Sequence, residues 1–250
     1  MPAIKAQRGF SLMEVMIAVF LSALLISGIT SLLGGSVSAY RLQLGQGQLE
    51  ESGRYARDVL NFHIAQAGYQ PEPWLSQPVL PALTSEATDG GVSPGDQLGL
   101  QRWSMKNCYG NENPITNNDG QPEFHLLQTR FLVNTSKNLA ITCRYGPDAS
   151  RLKTQINNFG LVEGVESMQV LYAQDSDGDN IADGWVQAQT WQQERDIQAV
   201  KIALLLSSQQ ALIPASRKQI QLLDENFAPP ADGYLRRVNT LTTAIRGRQL

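Results

Sequence analysis

The sequence predicts an α+β protein: one long N-terminal helix, membrane-spanning over its first half, packed on a C-terminal antiparallel β-sheet domain. Three observations predict it. No proline occurs between Pro2 and Pro71. Apolar residues run almost unbroken from Phe10 to Leu33. Beyond Gly68, turn residues separate short apolar segments, several with the period of two that strands require.

The helix comes first. Between Phe10 and Leu33 the single charge is Glu14. About 20 apolar residues suffice to span a bilayer as a helix. Lys5 and Arg8 precede the run and the next basic residue is Arg41, which places the N-terminus in the cytoplasm and the remainder outside. Further on, Leu49, Ala56, Val59, Leu60, Ile64 and Ala67 form an apolar stripe, while Glu50, Glu51, Arg54, Arg57 and Asp58 take other faces. One helix from about Phe10 to Ala67 would be about 58 residues, or roughly 87 Å, long. Gly28, Gly34, Gly35, Gly45, Gly47 and Gly53 each weaken it by about 1 kcal/mol relative to Ala. Gly34-Gly35 and Gly45-x-Gly47 are the expected bends. Gly68, followed by Pro71, ends it.

The globular part follows. From Tyr69 to about Pro122, Pro, Gly, Asn and Asp predict loops with short strands, one at Gln97–Gln101. Phe124–Val133 and Leu139–Tyr145 read as a strand pair around Thr135-Ser136-Lys137-Asn138. Val165–Tyr172, Ile197–Ser207 and Tyr234–Ile245 read as three further strands, the middle one well buried.

Composition narrows the chemistry. Formal net charge is −3 with no basic stripe, so nucleic acid is not an expected partner. Cys108 and Cys143 belong to no C-x-x-C and no histidine cluster, so a thiolate zinc site lacks ligands. Outside the cytoplasm they would make one disulfide, worth roughly 3–4 kcal/mol; two separate buried thiols are the alternative. No phosphate loop, G-x-S-x-G or H-E-x-x-H is present, and His63 and His125 read as structural, so no enzyme activity is expected. Trp74, Trp103, Trp185 and Trp191 read as core or interface residues.

Asp175-Ser176-Asp177-Gly178-Asp179-Asn180-Ile181-Ala182-Asp183 spaces its carboxylates as a calcium loop does. Asp175, Asp177, Asp179 and Asp183 would supply side chains and Ile181 its carbonyl. The bidentate Glu expected at the twelfth position is replaced by Val186. Calcium would therefore be held weakly, with Glu194 a candidate to complete the shell. The other reading is a solvated hairpin turn, although four like charges in so short a loop repel.

The segment Arg8-Gly9-Phe10-Ser11-Leu12-Met13-Glu14 resembles the cleavage and methylation site of type IV prepilins and pseudopilins. The resemblance implies cleavage after Gly9, N-methylation of Phe10, and pairing of Glu14 with the N-terminal amine of a neighbouring subunit. That pairing is physically sensible. A charged side chain costs about 2.5–3.5 kcal/mol at the bilayer centre, and a cation neutralises it. Loss of Lys5 and Arg8 with the leader takes side-chain charge from −3 to −5. Val162-Glu163-Gly164-Val165-Glu166 opening a strand, the Asp-rich loop after it, and Leu235-Arg236-Arg237-Val238 leading to Thr242-Thr243-Ala244-Ile245-Arg246 are similar to PilW-type minor pilins. The J-type pseudopilins of type II secretion look like close relatives.

The organisation expected is a leader over 1–9, a transmembrane helix over 10–33, an amphipathic continuation over 34–68 and a periplasmic β-rich domain over 69–250. Implied partners are the prepilin peptidase, other minor and major pilins, the inner-membrane assembly platform and the membrane itself. A reading from another class is a secreted binding or hydrolytic domain, released at Tyr40 after Val37-Ser38-Ala39.

Overall fold

The computed structural model describes residues 9, 11–71, 79–91, 95–179, 181–191 and 193–247. Lys5, Arg8, Phe10, Pro73, Trp74, Pro78, Pro94 and Asn180 lie outside the described residues. The chain forms two compact units, Met1–Leu44 and Gly45–Leu250. Helix α1 runs Leu12–Ala65 without interruption at Gly34-Gly35 or Gly45.

In the first unit, α1 starts at Ser11, whose carbonyl accepts the amides of Glu14 and Val15 at 3.1 and 3.2 Å. The Ser11 amide in turn donates to Glu14 Oε2 at 3.4 Å, the glutamate half of a capping box. Residues 11–41 are exposed throughout, and an 18-residue window has mean hydropathy 2.3, long and apolar enough to cross a membrane. The hydroxyls of Ser22, Thr30 and Ser38 donate to the carbonyls of Ala18, Ile26 and Gly34, so the helix satisfies its own polar side chains.

In the second unit the buried face of α1 is Gly45, Leu49, Gly53, Ala56, Leu60 and Ile64. These recur every three or four residues, and the two glycines belong to the stripe. A Cβ at Gly45 would meet Leu212 Cδ1, and one at Gly53 would meet the Asn239 amide. These positions are small because the side chains of Leu212 and Asn239 come close. Gly45 and Gly53 are thus packing positions of the buried stripe.

Four consecutive strands make the first antiparallel sheet: β1 (Leu98–Ser104), β2 (His125–Val133), β3 (Asn138–Gly146) and β4 (Lys153–Glu163). The expected β2–β3 pair is present, with Phe131 opposite Ile141. Strand β4 was not expected from the sequence. It is an edge strand, mostly exposed, with Asn158 at φ 48° and several register shifts against β3, so its sequence lacks an apolar alternation. Val162 and Glu163 close β4; they do not open the next strand.

The second antiparallel sheet has the order β10–β7–β5–β6, from β5 (Val165–Gln174), β6 (Gly184–Val186), β7 (Ile197–Ala211) and β10 (Tyr234–Ala244). A small hairpin, β8 (Ile220–Leu222) with β9 (Glu225–Phe227), lies between β7 and β10 in sequence. The antiparallel domain is thus two sheets and a hairpin. The chain changes sheets at Gly164, where φ is 75° and the Ser207 amide donates to its carbonyl at 2.7 Å. A single core joins both sheets to the α1 stripe. Strand β7 sends Val200, Ile202, Leu204 and Leu206 into that core, and Ala203 and Leu205 into a second cluster with Leu222. Burial on both faces explains its continuous apolar run.

Candidate functional site

Of the N-terminal motif, Gly9 and Glu14 are described, and both are exposed. The Ser11 amide offers Glu14 a single long hydrogen bond, so its carboxylate keeps acceptor capacity for a further donor. Phe10, the expected methylation site, lies outside the described residues.

Cys108 and Cys143 form a disulfide across a sequence separation of 35. The alternative of two free thiols is excluded. The bridge fastens the long β1–β2 loop to the inner strand β3. Beside it, the Cys108 amide donates to Gln155 Oε1 at 2.9 Å and the Tyr109 hydroxyl to the Gln155 carbonyl at 2.5 Å.

The aspartate loop is the β5–β6 connection. It brings together three of the four expected carboxylates, those of Asp175, Asp177 and Asp183, with ligand oxygens within 4.8 Å of one another. Asp179 is not in that group; its Oδ1 accepts the Ile181 amide at 2.7 Å. Ile181 is 68 % exposed. Asp183 Oδ2 accepts from the Ser176 amide and hydroxyl at 2.7 and 2.5 Å, which holds its carboxyl below the usual range. Asp175 is buried, and its Oδ1 accepts the Gly178 amide at 2.7 Å. The three carboxylates could hold a metal ion, but with one converging oxygen each they fall short of the six to eight that calcium prefers.

Both histidines pack against aromatic rings. His63 packs edge-on to Phe62 and Phe131; burial, helped by the Arg102 charge, pulls its pKa down to about 4. His125 is buried, with its ring centroid 5.2 Å from that of Tyr145. Trp191 packs on Tyr172 and Trp103 is half-buried, whereas Trp185 is 40 % exposed with Lys201 over its ring.

Two buried polar centres escaped the sequence reading. Glu166 on β5 accepts from Arg236 of β10 at 2.6 and 3.1 Å and from Lys137 of the β2–β3 turn at 3.0 Å. Burial raises its pKa, but the hydrogen bonds from these cations outweigh it and the net shift is downward. Arg236 also reaches Asp232 at 2.8 and 2.7 Å. Asp96 is the other centre. Its carboxylate accepts the amides of Val170 at 2.7 Å and Gly90 at 3.0 Å, fastening a loop to β5. Burial pushes its pKa up to about 6. The Pro94-Gly95-Asp96 run carries only a turn signal; no local pattern marks the partner amides.

Comparison with known proteins adds two family matches. The model of the prokaryotic N-terminal methylation motif matches residues 4–30, and that of the type IV pilus-assembly protein W (PilW) matches residues 130–247. Together they cover more than half of the chain. A solved type IV-like pilin from Thermus thermophilus is similar at 16% identity, covering 81% of this chain and 97% of its own, with a TM-score of 0.46. No curated protein matches the chain. With the methylation motif at its start and the PilW match over its last strands, the chain is a PilW-like member of the type IV pilin superfamily.

Proposed function

We propose that the chain is a minor pilin that primes or joins type IV pilus fibres. The prepilin peptidase cleaves after Gly9 and Phe10 is N-methylated. The apolar half of α1 holds the chain in the inner membrane, with the globular domain in the periplasm, until the assembly platform moves it into a fibre among other minor and major pilins. The observation that carries this reading is Glu14 in the first turn of an exposed apolar helix, directly after the Gly9-Phe10 motif. Cleavage creates an amine at Phe10, and the amine of one subunit neutralises the Glu14 carboxylate of another. The pair sets axial register.

Mass spectrometry of the mature N-terminus tests this: N-methyl-Phe10 is expected, and a chain starting at Tyr40 overturns it. Glu14→Ala leaves processing intact and impairs incorporation into fibres; normal incorporation removes the amine-pairing role. The J-type pseudopilin reading shares every step but the final fibre, and genomic neighbours separate the two.

The proximity of Asp175, Asp177 and Asp183 favours a second, independent property, weak calcium binding at the β5–β6 loop. Calorimetry should record heat with calcium that Asp177→Ala removes, and no heat at millimolar calcium ends the idea.

A further inference from the structure

Beside the C-terminal end of α1, a cleft of about 510 Å³ opens between Tyr69, the end of β1 and the loop leading into β2. That volume lies in the range of ligand sites, roughly 300–1,000 Å³. Tyr69, Trp103 and Phe124 line it with Pro122, and the Tyr69 and Phe124 ring centroids are 6.2 Å apart at 46°. The walls are fixed from both sides. The Trp103 amide donates to the Tyr69 carbonyl and the Gly68 amide to the Gln101 carbonyl, each at 2.8 Å. The loop wall is stapled to β3 by the Cys108–Cys143 bridge.

Arg102 also lines the cleft. Its guanidinium packs over Phe62 at 5.6 Å, and among the described residues no carboxylate pairs with it. Burial lowers its pKa, as befits a cation withdrawn from water without a counter-charge. Lys106 and Glu112 on the lining balance one another, so Arg102 sets the charge that an occupant must complement.

We propose that this cleft receives an extended segment of a neighbouring subunit, which seats an aromatic or apolar side chain among Tyr69, Trp103 and Phe124 and a carboxylate on Arg102. The apolar walls select the side chain and the unpaired cation selects the acid. The inference rests on the reading of the chain as a fibre subunit.

The test uses the full chain in detergent micelles and two dye-labelled peptides, Ala-Phe-Glu-Phe-Ala and Ala-Phe-Gln-Phe-Ala, followed by fluorescence anisotropy. The Glu peptide should bind roughly tenfold or more tightly than the Gln peptide. Arg102→Gln should bring the ratio near one, Arg102→Lys should keep part of it, and Trp103→Ala should weaken both peptides. Equal binding of the two peptides by the unmodified chain overturns the proposal. So does discrimination that survives Arg102→Gln, or peptide binding abolished by self-association, which would make a second copy the occupant. N-terminal mass spectrometry keeps the two readings apart. An unmodified Phe10 fails the minor-pilin reading whatever the peptides do, and methylated Phe10 without peptide discrimination fails only the cleft.

Discussion

Removing the Glu166 carboxylate should cost about 2–3 kcal/mol of stability. Its side chain is 5 % exposed and that of Arg236 6 %. Two nitrogens of Arg236 donate to the two oxygens of Glu166, a bidentate arrangement. Breaking a buried pair by deleting one partner typically costs about 3–5 kcal/mol, because the other charge is left uncompensated. Here Asp232 still holds Arg236, which lowers the expected figure. Lys137 adds little, since its side chain is 62 % exposed and exposed pairs contribute about 0–1 kcal/mol. The assay is urea unfolding of the full chain in detergent, comparing Glu166→Gln, Glu166→Met, Arg236→Met and the Glu166→Met/Arg236→Met double variant with the unmodified chain. Glu166→Gln should lower the midpoint with an unchanged slope. The double variant should lie within about 1 kcal/mol of the unmodified chain, because apolar residues can replace a buried ion pair at little cost. A loss below about 0.5 kcal/mol in Glu166→Gln, or a double variant as damaged as the sum of its singles, refutes the reasoning. The sign with pH is fixed as well. The folded pKa of Glu166 lies below its usual 4.5, so its contribution is complete above that value and is lost as pH falls through the folded pKa.

Three further outcomes are expected. Cys108→Ser with Cys143→Ser should cost roughly 3–4 kcal/mol, read as a lower thermal midpoint that reductant reproduces in the unmodified chain. His63 is held near pKa 4 from 6.5, so the unfolded chain protonates first as pH falls and stability declines between these values by up to about 3 kcal/mol. Asp96, raised to about 6, acts oppositely, since its native carboxyl takes the proton first. Unfolding from pH 7 to 4 in an Asp96→Asn background should therefore show the His63 decline alone, and His63→Leu should abolish it. Gly47→Ala and Gly53→Ala should differ in sign, as judged by urea midpoints. Both gain about 1 kcal/mol of helix propensity, but nothing stands within 4 Å of a Cβ at Gly47 while the Asn239 amide blocks one at Gly53.

Much of the fold was legible because its signals are local. The apolar run, Glu14, the stop at Gly68 and the strands β2, β3, β5, β7 and β10 each follow from neighbours along the chain. Strand β4 was not, because an exposed edge strand needs no buried alternation and its Asn157-Asn158 and Gly160 suggest a turn. The aspartate loop was half legible. Spacing proposed four carboxylates, and the turn taken by residues 175–183 gathered three, leaving Asp179 to accept the Ile181 amide.

By itself the sequence determined the N-terminal segment: where the helix begins, which half is apolar all round, and where the single carboxylate stands. Those properties depend on residues a few positions apart. Only the tertiary structure decided that the strands divide into two sheets at Gly164. It also decided that Glu166 meets Arg236 70 residues away and that Asp96 caps the amide of Val170. Such pairings are fixed by which chain segments share a core, and no local pattern of residues records that choice.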